Sequence, residues 1–98
     1  MITEIVEFEV KPGTAEKFIA GVEASRPLFE RSPGFISLEL HLTVENSLVF
    51  VLLIQWETVA HHMEMFRNSP EYGLWRGNIG EFMAGPPRLQ HTETKLRY

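Results

Sequence analysis

The chain has 98 residues, 44% of them hydrophobic, with 9 Lys and Arg against 13 Asp and Glu, a net charge of −4 and no cysteine. That length supports a single domain, residues 1–98, and the missing cysteines exclude a disulfide framework, thiolate zinc sites and a Cys nucleophile. The basic residues form no stripe that would track a phosphate backbone, no apolar run reaches the ~18 residues of a membrane span, and Met-Ile-Thr-Glu does not open a signal peptide, so neither nucleic acid nor membrane is an expected partner and a cytoplasmic location is expected.

Residues 2–10 alternate with a two-residue period, placing Val6, Phe8 and Val10 on one face and Glu7 and Glu9 on the other, a half-buried strand closed by Lys11-Pro12-Gly13. Thr14 is the predicted N-cap of a helix whose apolar stripe is Ala15, Phe18, Ile19 and Val22. Phe29 continues the stripe, but Pro27 removes a helix donor and should loosen the last turns before Ser32-Pro33-Gly34 ends the element. In the next strand Ile36, Leu38, Leu40, Leu42 and Val44 point one way, and Phe35, Ser37, Glu39, His41 and Thr43 the other. A turn at Glu45-Asn46-Ser47 leads into Leu48–Trp56, apolar on both faces and therefore a central strand. Thr58 is the predicted N-cap of a second helical region, where Val59, His62, Met63 and Phe66 share a face. Ser69 as N-cap, Pro70 and Glu71 start the next helix, with Tyr72, Trp75 and Ile79 as its stripe. After Gly85-Pro86-Pro87, residues 88–98 read as a final edge strand.

The order is β-α-β-β-α-β, the ferredoxin-like α+β fold with a four-stranded antiparallel sheet. Helices can cover only one face of such a sheet, yet the third strand is apolar on both. A partner sheet on the open face would cover the other side, so a homodimer through the sheet face is expected.

Four histidines are the groups that titrate near neutrality without perturbation. His62 lies on the apolar stripe; its ordinary reading is a core-edge imidazole bonded to a backbone carbonyl, its functional one a base in a pocket. His61 belongs to the wet face. Glu39 with His41, and His91 with Glu93, stand two residues apart on a strand face, close enough for a carboxylate to orient an imidazole, although polar decoration of an exposed strand produces the same pattern. Trp56, Phe66, Tyr72, Trp75 and Phe82 gather aromatic surface around glycine-containing helices, which is core material with room for a ligand cavity. Neither a nucleotide-binding glycine loop nor a metalloprotease, hydrolase or calcium-loop signature occurs. The third strand also lacks the basic and aromatic pattern of an RNA-binding sheet.

The landmarks Phe8-x-Val10-Lys11-Pro12-Gly13, Pro33-Gly34-Phe35, Trp56-Glu57-Thr58 and Phe66-Arg67-x-Ser69-Pro70-x-Tyr72-x-x-Trp75-Arg76 resemble the antibiotic biosynthesis monooxygenase family of dimeric α/β-barrel proteins over nearly the whole chain. The resemblance implies a shared barrel and a pocket between each subunit's sheet and helices. It also implies oxygenation of phenolic or quinone-type substrates by some members without cofactor or metal. The implied substrate contacts are Val6, Phe8, Phe66, Tyr72 and Trp75, and the implied catalytic residues are His62 and His91. Haem-degrading relatives use an Asn, a Trp and an iron-ligating His where this chain has Val6, Met65 and Trp75, which argues against haem degradation. Quinol-oxidising relatives often carry a His in place of Met65. The expected activity is a cofactor-independent monooxygenase acting on an aromatic or polyketide-like small molecule. A non-catalytic ligand-binding or stress-associated module and an oxygen-independent isomerase or lyase are the alternatives.

Overall fold

Alternation of apolar and polar residues builds a sheet with one dry face, and the helices are the pieces long enough to cover that face. The computed structural model describes residues 1–98: β1 (Ile2–Glu9), α1 (Ala15–Ala24), α2 (Arg26–Glu30), β2 (Phe35–Leu42), β3 (Val49–Trp56), a π-helical turn (His61–Phe66), α3 (Pro70–Ile79), a 3-10 turn (Gly80–Phe82) and β4 (Arg88–Thr92). The strands form one antiparallel sheet in the order β2-β3-β1-β4, with β3 and β1 central. This is the ferredoxin-like α+β arrangement expected from the sequence, with each helical region divided into pieces. No helix is long and apolar enough to cross a membrane.

The covered face buries Val6, Phe8, Phe50, Leu52, Ile54 and Trp56 against Phe18, Val22, Leu28 and Phe29 from the first helical region and Phe66, Trp75 and Ile79 from the second. Phe18 sits with its ring centroid 5.4 Å from Phe8 and 5.0 Å from Phe50, joining α1 to both central strands. Burying one such side chain contributes roughly 1.5–3 kcal/mol. The break before Pro27 falls at Ser25, whose Oγ donates to the Gly21 carbonyl at 2.8 Å and accepts from Asn78 at 2.9 Å, so the interruption becomes a tie to α3. Gly21 lies against that tie: a Cβ there would fall 2.5 Å from the Asn78 carbonyl oxygen.

Several sequence expectations change. Thr14 and Ser69 occupy N-cap positions but make no side-chain cap bond; their hydroxyls donate backward to the carbonyls of Lys11 and Phe66. A β-bulge between Phe35 and Ser37 turns Phe35 onto the covered face, against Phe29 and Trp56, and leaves Ile36 44% exposed. Ile19, Val59 and Met63 are exposed. For the last two the reason is the π-helical turn, whose wide spacing, seen in the Arg67 N–H bond to the His62 carbonyl, keeps only His62 and Phe66 buried. The final strand stops at Thr92 rather than running to residue 98.

On the uncovered face Ile5, Val49, Val51 and Leu53 are only half-buried. Strand pairing surrounds them with Glu7, Glu39, His41, Arg88 and Gln90.

Candidate functional site

A cavity of about 250 Å³ opens between the covered face and α3. The sheet contributes Val6, Phe8, Leu52, Ile54 and Leu89; the helices contribute Phe29, His62, Phe66, Tyr72, Trp75 and Ile79. Phe29 holds the helical wall together, stacked on Phe66 at 5.1 Å and edge-on to Trp75 at 4.9 Å, with Tyr72 edge-on to Phe66 at 5.7 Å. Five sequence-predicted contacts, Val6, Phe8, Phe66, Tyr72 and Trp75, line this space without filling it.

One side of the cavity carries buried titratable groups. His62 is 2% exposed and its ring stacks on Trp56 at 5.6 Å with an 18° interplanar angle. Its Nδ1 is 2.8 Å from Nε2 of His91, and its Nε2 is 3.3 Å from Oε1 of Glu4. The same Glu4 oxygen accepts a 2.9 Å hydrogen bond from the Trp56 indole N–H. Two features of the backbone enforce this contact set. Glu4 and His91 are register partners across β1 and β4, and the π-helical turn aims His62 inward beside them. The expected backbone-carbonyl bond to His62 is therefore replaced by an imidazole and a carboxylate.

Burial raises the Glu4 pKa from 4.5 to about 7, opposed by the Trp56 hydrogen bond and the Arg67 charge. Burial lowers the His62 pKa from 6.5 to about 4, aided by His91 and Arg67. Burial also lowers that of His91. At neutral pH His62 is uncharged and Glu4 is poised between acid and carboxylate, the condition that favours proton exchange with a bound molecule.

His91 is not on the cavity wall; it stands behind His62, on edge strand β4. It does not pair with Glu93, which lies past the strand and approaches Lys95 at 3.7 Å. The Glu39–His41 pair does form, at 2.9 Å, but both residues are exposed on the opposite face and reach no cavity wall. His61 is not simply wet: it meets the Thr58 hydroxyl at 2.8 Å and packs over Gly34, where φ is +80° and a Cβ would collide with its ring.

Sequence reading missed Glu4, Arg67 and Arg76. Glu4 carried a usable signal, because it shares the even positions of Val6, Phe8 and Val10 and so had to face the core. Arg67 and Arg76 flank the cavity with guanidinium carbons 5.4 Å and 6.0 Å from the Tyr72 ring centroid, and Arg76 donates to the Tyr72 hydroxyl at 3.1 Å. A second cleft, of about 440 Å³ between the first helical region and β2, is larger but holds no histidine and none of the predicted contacts.

Residues 1–77 match the family model described as antibiotic biosynthesis monooxygenase, a match that ends before β4 and His91. A solved structure from Bordetella bronchiseptica, classed with the antibiotic biosynthesis monooxygenases, is 40% identical with a TM-score of 0.95, covering 97% of both chains. An uncharacterized Bacillus subtilis protein, YczJ, is 29% identical over 93% of this chain and 96% of its own. SnoaB of Streptomyces nogalater, a cofactor-independent oxygenase, shares the fold at TM-score 0.81 and 16% identity, covering 98% of this chain and 94% of its own.

Proposed function

The chain belongs to the antibiotic biosynthesis monooxygenase family, and from that premise we propose that it is a cofactor-independent monooxygenase acting on a small phenolic or hydroquinone-type molecule between sheet and helices. The observation that carries this reading is a buried carboxyl and a buried neutral imidazole, Glu4 and His62, on the wall of an aromatic cavity. Such a cavity needs to supply only a base, an apolar enclosure and orientation. A benzylic C–H of an anthrone-type substrate gives up its proton, and the electron pair left behind forms the C–O bond to molecular oxygen. The resulting peroxide anion takes that proton back, and the hydroperoxide then loses its remaining C–H proton and hydroxide as water, leaving a carbonyl: CH2 plus O2 becomes C=O plus H2O. Val6, Phe8, Phe66, Tyr72 and Trp75 hold the ring, and His62 with His91 serves the proton. At about 250 Å³ the cavity is at the small end for organic ligands, which favours a compact substrate of at most three fused rings over a larger polycycle.

Oxygen uptake with a panel of hydroquinones and anthrones tests the reading. Consumption that collapses in His62→Ala supports it; no consumption, or consumption indifferent to that change, overturns it. Turnover that persists without oxygen would instead mark an isomerase or lyase. Assembly as a homodimer through the open sheet face is part of the same reading, supported by Ile5, Val49, Val51 and Leu53 at the sheet's centre. Leu53→Glu is expected to convert a dimer to a monomer in sedimentation analysis. A wild-type protein that sediments as a monomer would contradict the assembly.

A further inference from the structure

We propose that Glu4 is the proton acceptor of the cavity and that His62 and His91 form the route by which its proton exchanges with solvent. The proposal rests on the proton-abstracting reading above and specifies which atoms do the work. Glu4 lines the cavity and is 5% exposed. The Trp56 indole bonds to Oε1 and Nε2 of His62 approaches the same oxygen, whereas Oε2 carries no hydrogen bond and is not sealed away from the cavity. One oxygen is thus held and the other is available to a ligand.

A carboxyl buried this way needs a path if it is to gain and lose protons at a useful rate. The contacts provide one of two steps: Oε1 to Nε2 of His62 at 3.3 Å, then Nδ1 of His62 to Nε2 of His91 at 2.8 Å. Edge strand β4 brings His91 to partial exposure, so the outer end of the path meets water. Each imidazole can accept at one ring nitrogen while releasing from the other. When the substrate C–H or O–H bond breaks, its electron pair stays on the substrate and the proton goes to Glu4. With both rings starting in the Nδ1–H tautomer, a half-turn of the carboxyl about Cγ–Cδ carries that proton from Oε2 to face Nε2 of His62. Glu4 then protonates Nε2 of His62, His62 releases its Nδ1 proton to Nε2 of His91, and His91 releases its own Nδ1 proton to water. Glu4 is left ionised and both rings are left in the opposite tautomer. A proton returning by the same two steps for the hydroperoxide restores both rings.

The charged and titratable groups around Glu4 are few. The π-helical turn and its exit supply His62 and Arg67, β4 supplies His91, and α3 supplies Tyr72 and Arg76 across the cavity. β3 supplies only the neutral Trp56 indole. The position therefore holds one carboxyl, and its ionisation is read without interference from a second acid.

A substrate-free arm and a turnover arm separate failure of this proposal from failure of the oxygenase reading. Without substrate, the Trp56 indole proton resonance reports Glu4 ionisation through their hydrogen bond. One averaged step near pH 7 is expected in wild type, no step in Glu4→Gln, and a broadened or split signal in His91→Ala that added imidazole restores. A flat wild-type profile, or a His91→Ala signal identical to wild type, overturns the proposal whatever the enzyme oxidises. With any substrate found in the panel, Glu4→Gln is expected to lower kcat/KM at least ~100-fold and remove the acidic limb of the pH profile. His91→Ala is expected to lower kcat about tenfold, with rescue by imidazole. A Glu4→Gln rate within about threefold of wild type, or a His91→Ala loss that imidazole does not repair, contradicts it. Glu16→Gln, exposed on α1 and outside both the cavity and the open sheet face, is the control that leaves every readout unchanged.

Discussion

The two faces of the sheet carry the same pair of residue types under opposite conditions. On the open face Glu39 and His41 meet at 2.9 Å, both more than half exposed. On the covered face Glu4 and His62 approach at 3.3 Å, each side chain at most 6% exposed. The longer contact is the one whose groups have strongly shifted pKa values. Water screens the exposed pair, so holding it together is worth no more than a few tenths of a kcal/mol. Burial deprives Glu4 and His62 of water and drives their pKa values to about 7 and about 4, past one another. Removal from solvent, rather than proximity, is what shifts the pKa values of a Glu–His pair in this fold, and the proposed proton transfer uses that shift.

Replacing the buried and exposed imidazoles in turn should show the contrast most strongly. His62→Ala leaves a void against Trp56 and strands the carboxyl of Glu4, and is expected to cost about 3 kcal/mol in urea unfolding. A loss under 1 kcal/mol would mean that the covered face tolerates the change as an open surface does.

The next effect concerns pH. Glu4 has its folded pKa raised from 4.5 to about 7, so the folded state holds an extra proton in that window and this group's contribution to stability falls as pH rises through it. His62 has its folded pKa lowered from 6.5 to about 4, so its contribution falls as pH drops through that window. The two slopes oppose each other where the windows overlap. Glu4→Gln removes one of them. It is expected to gain about 2 kcal/mol at pH 8, where the wild type buries a carboxylate, and to expose a loss of stability on acidification that the wild type conceals. Equal stability of the two proteins at pH 8, by urea unfolding, would place Glu4 in water.

The smallest effect belongs to the open face: His41→Ala should stay within about 0.5 kcal/mol of wild type by the same measurement. His41 stands on edge strand β2, at the rim of the face proposed to meet a second subunit, so a larger loss would show that the partner subunit reaches over the pair rather than leaving it in water.

Much of this contrast was legible in the sequence. Alternation in residues 2–10 and the two-faced apolar run of β3 determine the sheet, since a two-residue period commits a strand to one buried side. Pro27 marks the interruption between α1 and α2. Glu4 was legible too, by its place in the series Val6, Phe8, Val10. Phe35 was not, because a bulge reverses the face of a residue without altering its neighbours. The His62–His91 contact spans 29 positions and depends on a π-helical turn, a detail set by packing rather than by local preference. The expected His91–Glu93 pair failed because the strand ends at Thr92, beyond which alternation no longer places side chains.

The most direct test of the covered-face chemistry is a carbon-13 titration of the Glu4 side-chain carboxyl in the wild-type protein. A midpoint near 7, moving in His62→Ala, is the expected result. A midpoint at the ordinary 4.5 would contradict it, because Glu4 would then be no more than a surface carboxylate.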